Sequence, residues 1–237
     1  MLCCPRSIKE RILNWLKKAL ASSIGKKVVM AITGLALCGF LVAHLGGNLL
    51  LYKSAKSYND YAHALHAQEI LLVVAELGLL VLFVGHIALA FITDRENKDA
   101  RPVGYAVKQT KMEQGPLAKP ASAVMFVTGL VILAFLLLHL ADFKFELRGH
   151  GSVGETPFDK ALRLLRDPLS ALVYVVGSLV LGYHVLHGFQ SAFQTLGLNH
   201  PKYTPFIEKV SLVFAIVVGL GFASFPLWAL SKVPFGQ

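Results

Sequence analysis

The sequence predicts an all-α, polytopic membrane protein with five transmembrane helices in one bundle. Three observations carry this reading. Of the 237 residues, 55% are hydrophobic, and the mean hydropathy is +0.59, more apolar than a soluble domain of this length. The charged residues are gathered into short stretches between long apolar runs. Histidines instead fall inside those runs, where an ionisable side chain is costly and marks a functional interior.

In chain order, residues 1–25 make no secretory signal. Ile8, Ile12, Leu13, Leu16 and Leu20 form an apolar stripe beside Lys9, Arg11, Lys17 and Lys18. This predicts an amphipathic helix on the inner membrane surface or against a partner. Spans follow at about 28–51, 70–93, 121–141, 169–198 and 210–230, each near the 20 or so residues that cross a 30 Å hydrocarbon core. Only Glu76 puts a charge inside any of them. Residues 52–68 read as a short outer loop rich in Tyr and His. Residues 94–120, with Pro102, Gly104, Gly115 and Pro116, read as an inner loop suited to docking a cytoplasmic partner. Residues 142–168 read as a polar outer loop ending in a basic amphipathic patch, Lys160, Arg163 and Arg166. No internal repeat is visible, which argues against transporters built from repeated halves.

With the N-terminus inside, the inner segments hold 15 Lys and Arg and the outer segments hold eight, which sets the N-terminus in and the C-terminus out. The pI of about 9.5 is therefore a topology signal and not a nucleic-acid footprint. Cys3, Cys4 and Cys38 lack metal-site spacing. There is no phosphate-binding loop, dinucleotide fingerprint or nucleophile motif, so no residue of this chain is expected to be catalytic by itself.

The histidines supply the chemistry. His44, His86 and His139 lie in the first three spans, and His184 and His187 in the fourth. His44 is 18 residues after Lys26 and His139 is 19 after Pro120, which puts both roughly 27 Å from the inner edge. His86, eight residues before Asp94, lies roughly 12 Å from that edge. His187, 12 residues before Asn199, lies in the inner half too. Two pairs at two depths result, His44 with His139 and His86 with His187. Facing imidazoles in a bundle are the ligand set of a six-coordinate haem, so these four are the expected iron ligands. His187 is preferred to His184 because it is nearer the level of His86 and is followed by Gly188. Ser191 and Gln194 continue its stripe and are candidates for the haem propionates.

At these residues the chain resembles a family. "GLALCGFLVAHLGGNLLLY", "VLFVGHIALAF" and "YHVLHGFQSAFQTLG" are similar to helices of the single-chain di-haem cytochrome b anchor subunits of succinate dehydrogenases and fumarate reductases. The resemblance covers about residues 25–230. It implies one transmembrane cytochrome b domain over 1–237 in a prokaryotic cytoplasmic membrane, with two haems b on His44, His86, His139 and His187. It further implies a flavoprotein subunit carrying FAD and an iron–sulfur subunit on the inner face, and quinone, commonly menaquinone, as substrate. Electrons would run from the iron–sulfur clusters to the inner haem, the outer haem and quinone, or in reverse. In some members a carboxylate sits two residues before the fourth ligand; here that position is Val185. The alternatives are the di-haem anchor of another quinone-linked dehydrogenase and a small non-redox transporter. Glu76, level with the outer pair, is expected to be a buried proton-exchanging group. Together with Tyr58, His63 and His66 it forms the candidate quinone site.

Overall fold

A computed structural model describes residues 8–100, 121–148 and 154–232. The secondary structure of these residues is helical: α1 (Ile8–Ala21), α2 (Ser23–Asn48), α3 (Leu50–Lys53), α4 (Ala55–His66), α5 (Glu69–Asp99), α6 (Ala121–Phe143), α7 (Pro157–Arg166), α8 (Pro168–Thr195) and α9 (Thr204–Ser231). Five segments are long and apolar enough to cross a membrane: Ser23–Lys53, Glu69–Asp99, Val124–Phe143, Pro168–Thr195 and Thr204–Ser231. The predicted spans agree with these to within a few residues, except that α5 runs on to Asp99 and α9 starts at Thr204.

Two segments expected as loops are helices. Ser54 caps α4, its hydroxyl accepting from Ser57 N at 3.1 Å. Thr156 caps α7 by accepting from Asp159 N at 3.3 Å, with Pro157 in the first turn. Both are standard start signals that a search for long apolar runs passes over. What keeps α7 helical is its buried face, Ala161, Leu164 and Leu165; each leucine contributes about 1.5–3 kcal/mol by burial. The backbone N–H of Phe158 donates to Asn59 Oδ1 at 2.9 Å, which joins α7 to α4. These two helices close one end of the bundle, the end expected to be outer, over a core of Leu45, Leu51, Tyr174 and Phe225.

Helices α8 and α9 are the most intimate pair. A Cβ on Gly182 would come within 2.9 Å of Ala215 O and of Gly219 Cα, so only glycine permits this approach. Helix α2 packs on α5 and α8, α6 packs on α8, and α9 braces α8 and α2 from one side. Helices α2, α5, α6 and α8 thus surround an interior. Named contacts join α5 and α6 towards their ends. The Phe91 and Phe126 rings meet edge to face at 5.2 Å at one end, and Glu76 pairs with Lys144 at the other.

Candidate functional site

The outer pair is assembled by packing. The His44 and His139 rings lie with centroids 5.9 Å apart and planes at 84°. Phe40, one turn before His44, stacks on it at 5.2 Å, and Phe222 of α9 approaches at 5.5 Å. His139 sits among Phe135, Phe143 and Tyr174, at 6.1, 5.2 and 6.0 Å. Phe40, Phe135 and Phe143 all stand four residues from a histidine, the spacing that puts side chains on one helical face. Asn48 Nδ2 donates to His44 O at 2.7 Å, but its 3.5 Å approach to His44 Nδ1 is too long to fix a tautomer.

The inner pair is assembled by hydrogen bonds. Thr33 Oγ1 lies 3.2 Å from His86 Nδ1, and Thr128 Oγ1 lies 3.0 Å from His184 Nδ1. Each threonine hydroxyl already donates its only proton to a backbone carbonyl one turn back, at 3.0 Å for Thr33 to Val29 and for Thr128 to Val124. With its proton on the backbone, the hydroxyl can accept from Nδ1–H, which leaves the lone pair on Nε2. A metal-binding histidine is commonly held by its neighbours in this way. Small residues stand beside both rings. A Cβ on Gly34 would lie 3.2 Å from His86 Cε1, and one on Gly129 would lie 3.6 Å from His184 Cε1.

The two histidines of α8 are held differently. His184 Nδ1 rests on the Thr128 hydroxyl. His187 meets Tyr183 edge-on at 4.9 Å and keeps a buried Nε2 with no hydrogen-bond partner among the described residues. Depth and the following Gly188 favour His187, and the threonine contact favours His184. Three residues turn a side chain by about 300°, so the two rings leave α8 in different directions.

The matching threonines disclose a repeat that the sequence reading missed. Residues 33–44, TGLALCGFLVAH, and 128–139, TGLVILAFLLLH, agree at six of twelve positions: Thr, Gly, Leu, Phe, Leu and His. Each stretch runs from the threonine that holds an inner histidine to the outer histidine itself. The following span supplies the inner ring: His86 with Phe91 five residues on, and His184 with Phe189 five residues on. In this register His187 has no counterpart. Helices α2 and α5 are thus matched by α6 and α8, and the expectation of no internal repeat is corrected. The unequal loops between the two units hide it from a search for one fixed period.

The remaining candidates are dispersed. Ser191 and Gln194 are exposed on the stripe that runs on from His187. Glu76 is not buried: its carboxylate pairs with Lys144, with the two side chains 41% and 52% exposed. A lysine just past the end of α6 reaches it, which the isolated span could not reveal. His63 and His66 are exposed on α4, where His66 Nδ1 donates to Ala62 O at 2.8 Å. Tyr58 instead packs at the outer core, its ring 6.4 Å from Phe158, and burial pushes its phenol above the ordinary value. Lys160, Arg163 and Arg166 belong to α7. Hydrogen bonds from Lys160 and Arg163 hold the carboxyls of Glu146 and Glu155, respectively, below their usual range.

One polar cluster escaped the sequence altogether. Asp142 ends α6 with its side chain 0% exposed. It accepts from Arg148 Nε and Nη2 at 2.5 and 2.6 Å and from Tyr174 Oη at 2.7 Å. Arg148 Nη2 also reaches Ser170 Oγ at 3.3 Å. Asp142 reads in sequence as the first residue of a polar loop, and its burial depends on partners six and 32 residues away. Among the described residues no cluster of three or more His, Cys, Asp and Glu is placed to hold a bare metal ion. No family profile, curated protein or solved structure matches the chain.

Proposed function

We propose that the chain is the membrane-anchor cytochrome b subunit of a succinate:quinone oxidoreductase, holding two haems b. The observation that supports this best is one histidine or more from each of four helices in the bundle, with His44 and His139 ring to ring and His86 and His184 each on a threonine hydroxyl. His44 and His139 would hold the outer haem, and His86 and His184 the inner one. When bound, each haem would supply a one-electron couple between the iron–sulfur clusters of a partner and quinone.

The chain's own residues do the positioning. Thr33 and Thr128 orient the inner rings, Phe40 and Phe135 flank the outer ones, and Gly34 and Gly129 leave room beside the inner imidazoles. Succinate or fumarate chemistry would belong to a flavoprotein subunit with FAD, docked through an iron–sulfur subunit on the inner face. The docking loop 94–120 is described only to residue 100, where Lys98 and Arg95 pair with Asp94 and Asp99. Lys108 and Lys111, the expected cross-linking points, lie outside the described residues, as do Cys3 and Cys4. A transmembrane proton route through a carboxylate near the fourth-helix ligand has no support. Two residues before His187 stands Val185, and two before His184 stands Gly182, whose Cβ site is filled by α9.

The test is purification of the intact complex from membranes. Sharp α-bands on dithionite reduction, two haems per chain, and co-purifying flavin and iron–sulfur subunits are expected. A colourless pure protein would overturn the reading, and soluble partners of another dehydrogenase class would reassign it.

A further inference from the structure

Helix α1 carries an apolar face that no described residue covers. Ile8 and Trp15 are 70% and 68% exposed, and Ile12, Leu16 and Leu20 are exposed as well. At 100° per residue, Ile8, Ile12, Leu16 and Leu20 climb one side of the helix, with Trp15 beside them. Arg11, Lys17 and Lys18 point the other way. Counting Lys9 and Glu10, the helix carries a net +3.

The junction with the first span fixes where this face lies. Helix α1 ends at Ala21 and α2 begins at Ser23, leaving Ser22 as the only linker. Ser22 is extended, at φ −68° and ψ 157°, so the helix breaks within one residue. Its hydroxyl accepts from Gly25 N at 3.0 Å and donates to Ala19 O at 2.5 Å, tying both sides of the bend. A Cβ on Gly25 would come within 2.8 Å of Leu20 Cα, so the bend is this tight because residue 25 is glycine. Helix α1 therefore leaves the spanning helix at its membrane boundary, with no slack to carry it away. A helix held there with one apolar and one basic face has the composition of an interfacial helix, tryptophan included.

We propose that α1 binds the surface of an anionic bilayer, its Ile8–Leu20 stripe in the acyl boundary and its Lys17–Lys18 side against lipid phosphates. The charge bias puts this end of the bundle inside, where the anionic lipid headgroups are. The lipid, not a soluble subunit, is the occupant, because the hinge sets the stripe at bilayer level whether or not a partner is docked. This inference does not depend on haem binding.

The experiment uses the complete chain, in its complex, reconstituted in phosphatidylcholine vesicles with or without phosphatidylglycerol. Emission of Trp15 is obtained as the difference between wild type and Trp15→Phe, which removes the Trp228 background. Lipids brominated near the headgroup should quench Trp15 more than lipids brominated at the chain end, and phosphatidylglycerol should increase the quenching. In Lys17→Gln/Lys18→Gln the phosphatidylglycerol-dependent affinity should fall by roughly 30-fold, about fivefold for each lysine, with the spans intact by circular dichroism. Trp15 quenched by aqueous iodide but not by bromolipid would overturn the proposal. So would Trp15 shielded from both, which would put a protein partner on the stripe, and so would quenching indifferent to phosphatidylglycerol.

Discussion

At the outer level His44 and His139 stand among phenylalanines and a tyrosine, whereas at the inner level His86 and His184 each lean on a threonine hydroxyl. The same two-helix unit builds both, since each TGL…H stretch provides a hydroxyl for the inner level and a ring for the outer one. The difference shows two ways to hold an imidazole in a membrane. Aromatic packing limits where a ring can be and leaves its protonation open. A hydroxyl beside Nδ1 fixes the rotation of the ring and gives its N–H an acceptor.

The largest expected effect breaks the pairs outright. In His184→Ala the inner haem is lost and one haem per chain remains, while His187→Ala keeps both. His139→Ala is the outer counterpart and also leaves one. Pyridine haemochrome quantitation per chain reads all three. Retention of two haems in His184→Ala together with loss of one in His187→Ala would restore the assignment that depth alone favours, and with it undo the two-unit register.

The next effect sharpens the comparison without removing a ligand. Thr33→Val and Thr128→Val preserve shape and delete the hydroxyl that receives Nδ1–H. Second-shell losses of this kind cost about 10–100-fold in metal affinity, so haem titration of apo-protein should show that weakening at the inner site alone. Equal weakening of both sites would mean that the threonines stabilise α2 and α6 generally and do not act through His86 and His184.

How much of this was legible beforehand depends on which physical signal each feature uses. The five spans rest on hydropathy, which needs no neighbours, and they were placed to within a few residues apart from the extended end of α5 and the early start of α9. The outer pair was legible because His44 and His139 sit on helices of the same direction, where counting residues from the boundary gives depth directly. The choice between His184 and His187 was not, because they are one turn apart in depth and differ mainly in azimuth, which is set by what α8 packs against. Gly182 against Gly219 fixes that rotation, and no single helix contains it. Helices α4 and α7 were missed because both are short and polar in composition; the buried face of α7 and the half-buried Tyr58 of α4 pack only in the assembled bundle. Asp142 and Lys144 were assigned to a loop since charge was taken as the end of the membrane; each has a partner far along the chain.

Asp142→Asn comes third in size. It leaves the Arg148 guanidinium and the Tyr174 hydroxyl facing an uncharged amide in a site with no exposure on the Asp side. Arg148 itself is 38% exposed and can turn to water, so the expected loss is about 1–3 kcal/mol and not the full cost of a stranded buried charge. The unfolding midpoint of the detergent-solubilised chain should drop accordingly. Because His139 lies one turn away on α6 and Tyr174 touches its ring, any spectral change should be confined to the outer haem. A spectral change confined to the inner haem would contradict the separation of the two levels.

The smallest effect concerns Glu76, the single carboxylate inside the spans predicted from hydropathy. Its partner Lys144 and the placement of both side chains at the edge of the bundle, each roughly half exposed, give it a different task from the one its depth suggests. An exposed pair of this kind contributes about 0–1 kcal/mol, enough to hold the outer ends of α5 and α6 in register and too little to define the fold. A carboxylate held by a lysine at the bundle edge suits a tether between α5 and the end of α6. Glu76→Gln is therefore expected to leave both haem spectra unaltered, to shift stability by less than about 1 kcal/mol, and to reduce quinone-linked turnover by less than about tenfold, the rate factor for 1.36 kcal/mol of barrier. Lys144→Gln should reproduce the same small changes, since it opens the same pair from the other side. A larger loss of quinone turnover in Glu76→Gln but not in Lys144→Gln, with both haems in place, would return Glu76 to proton transfer at the outer site. Equal and large losses in both variants would instead make the α5–α6 seam part of the path that quinone takes.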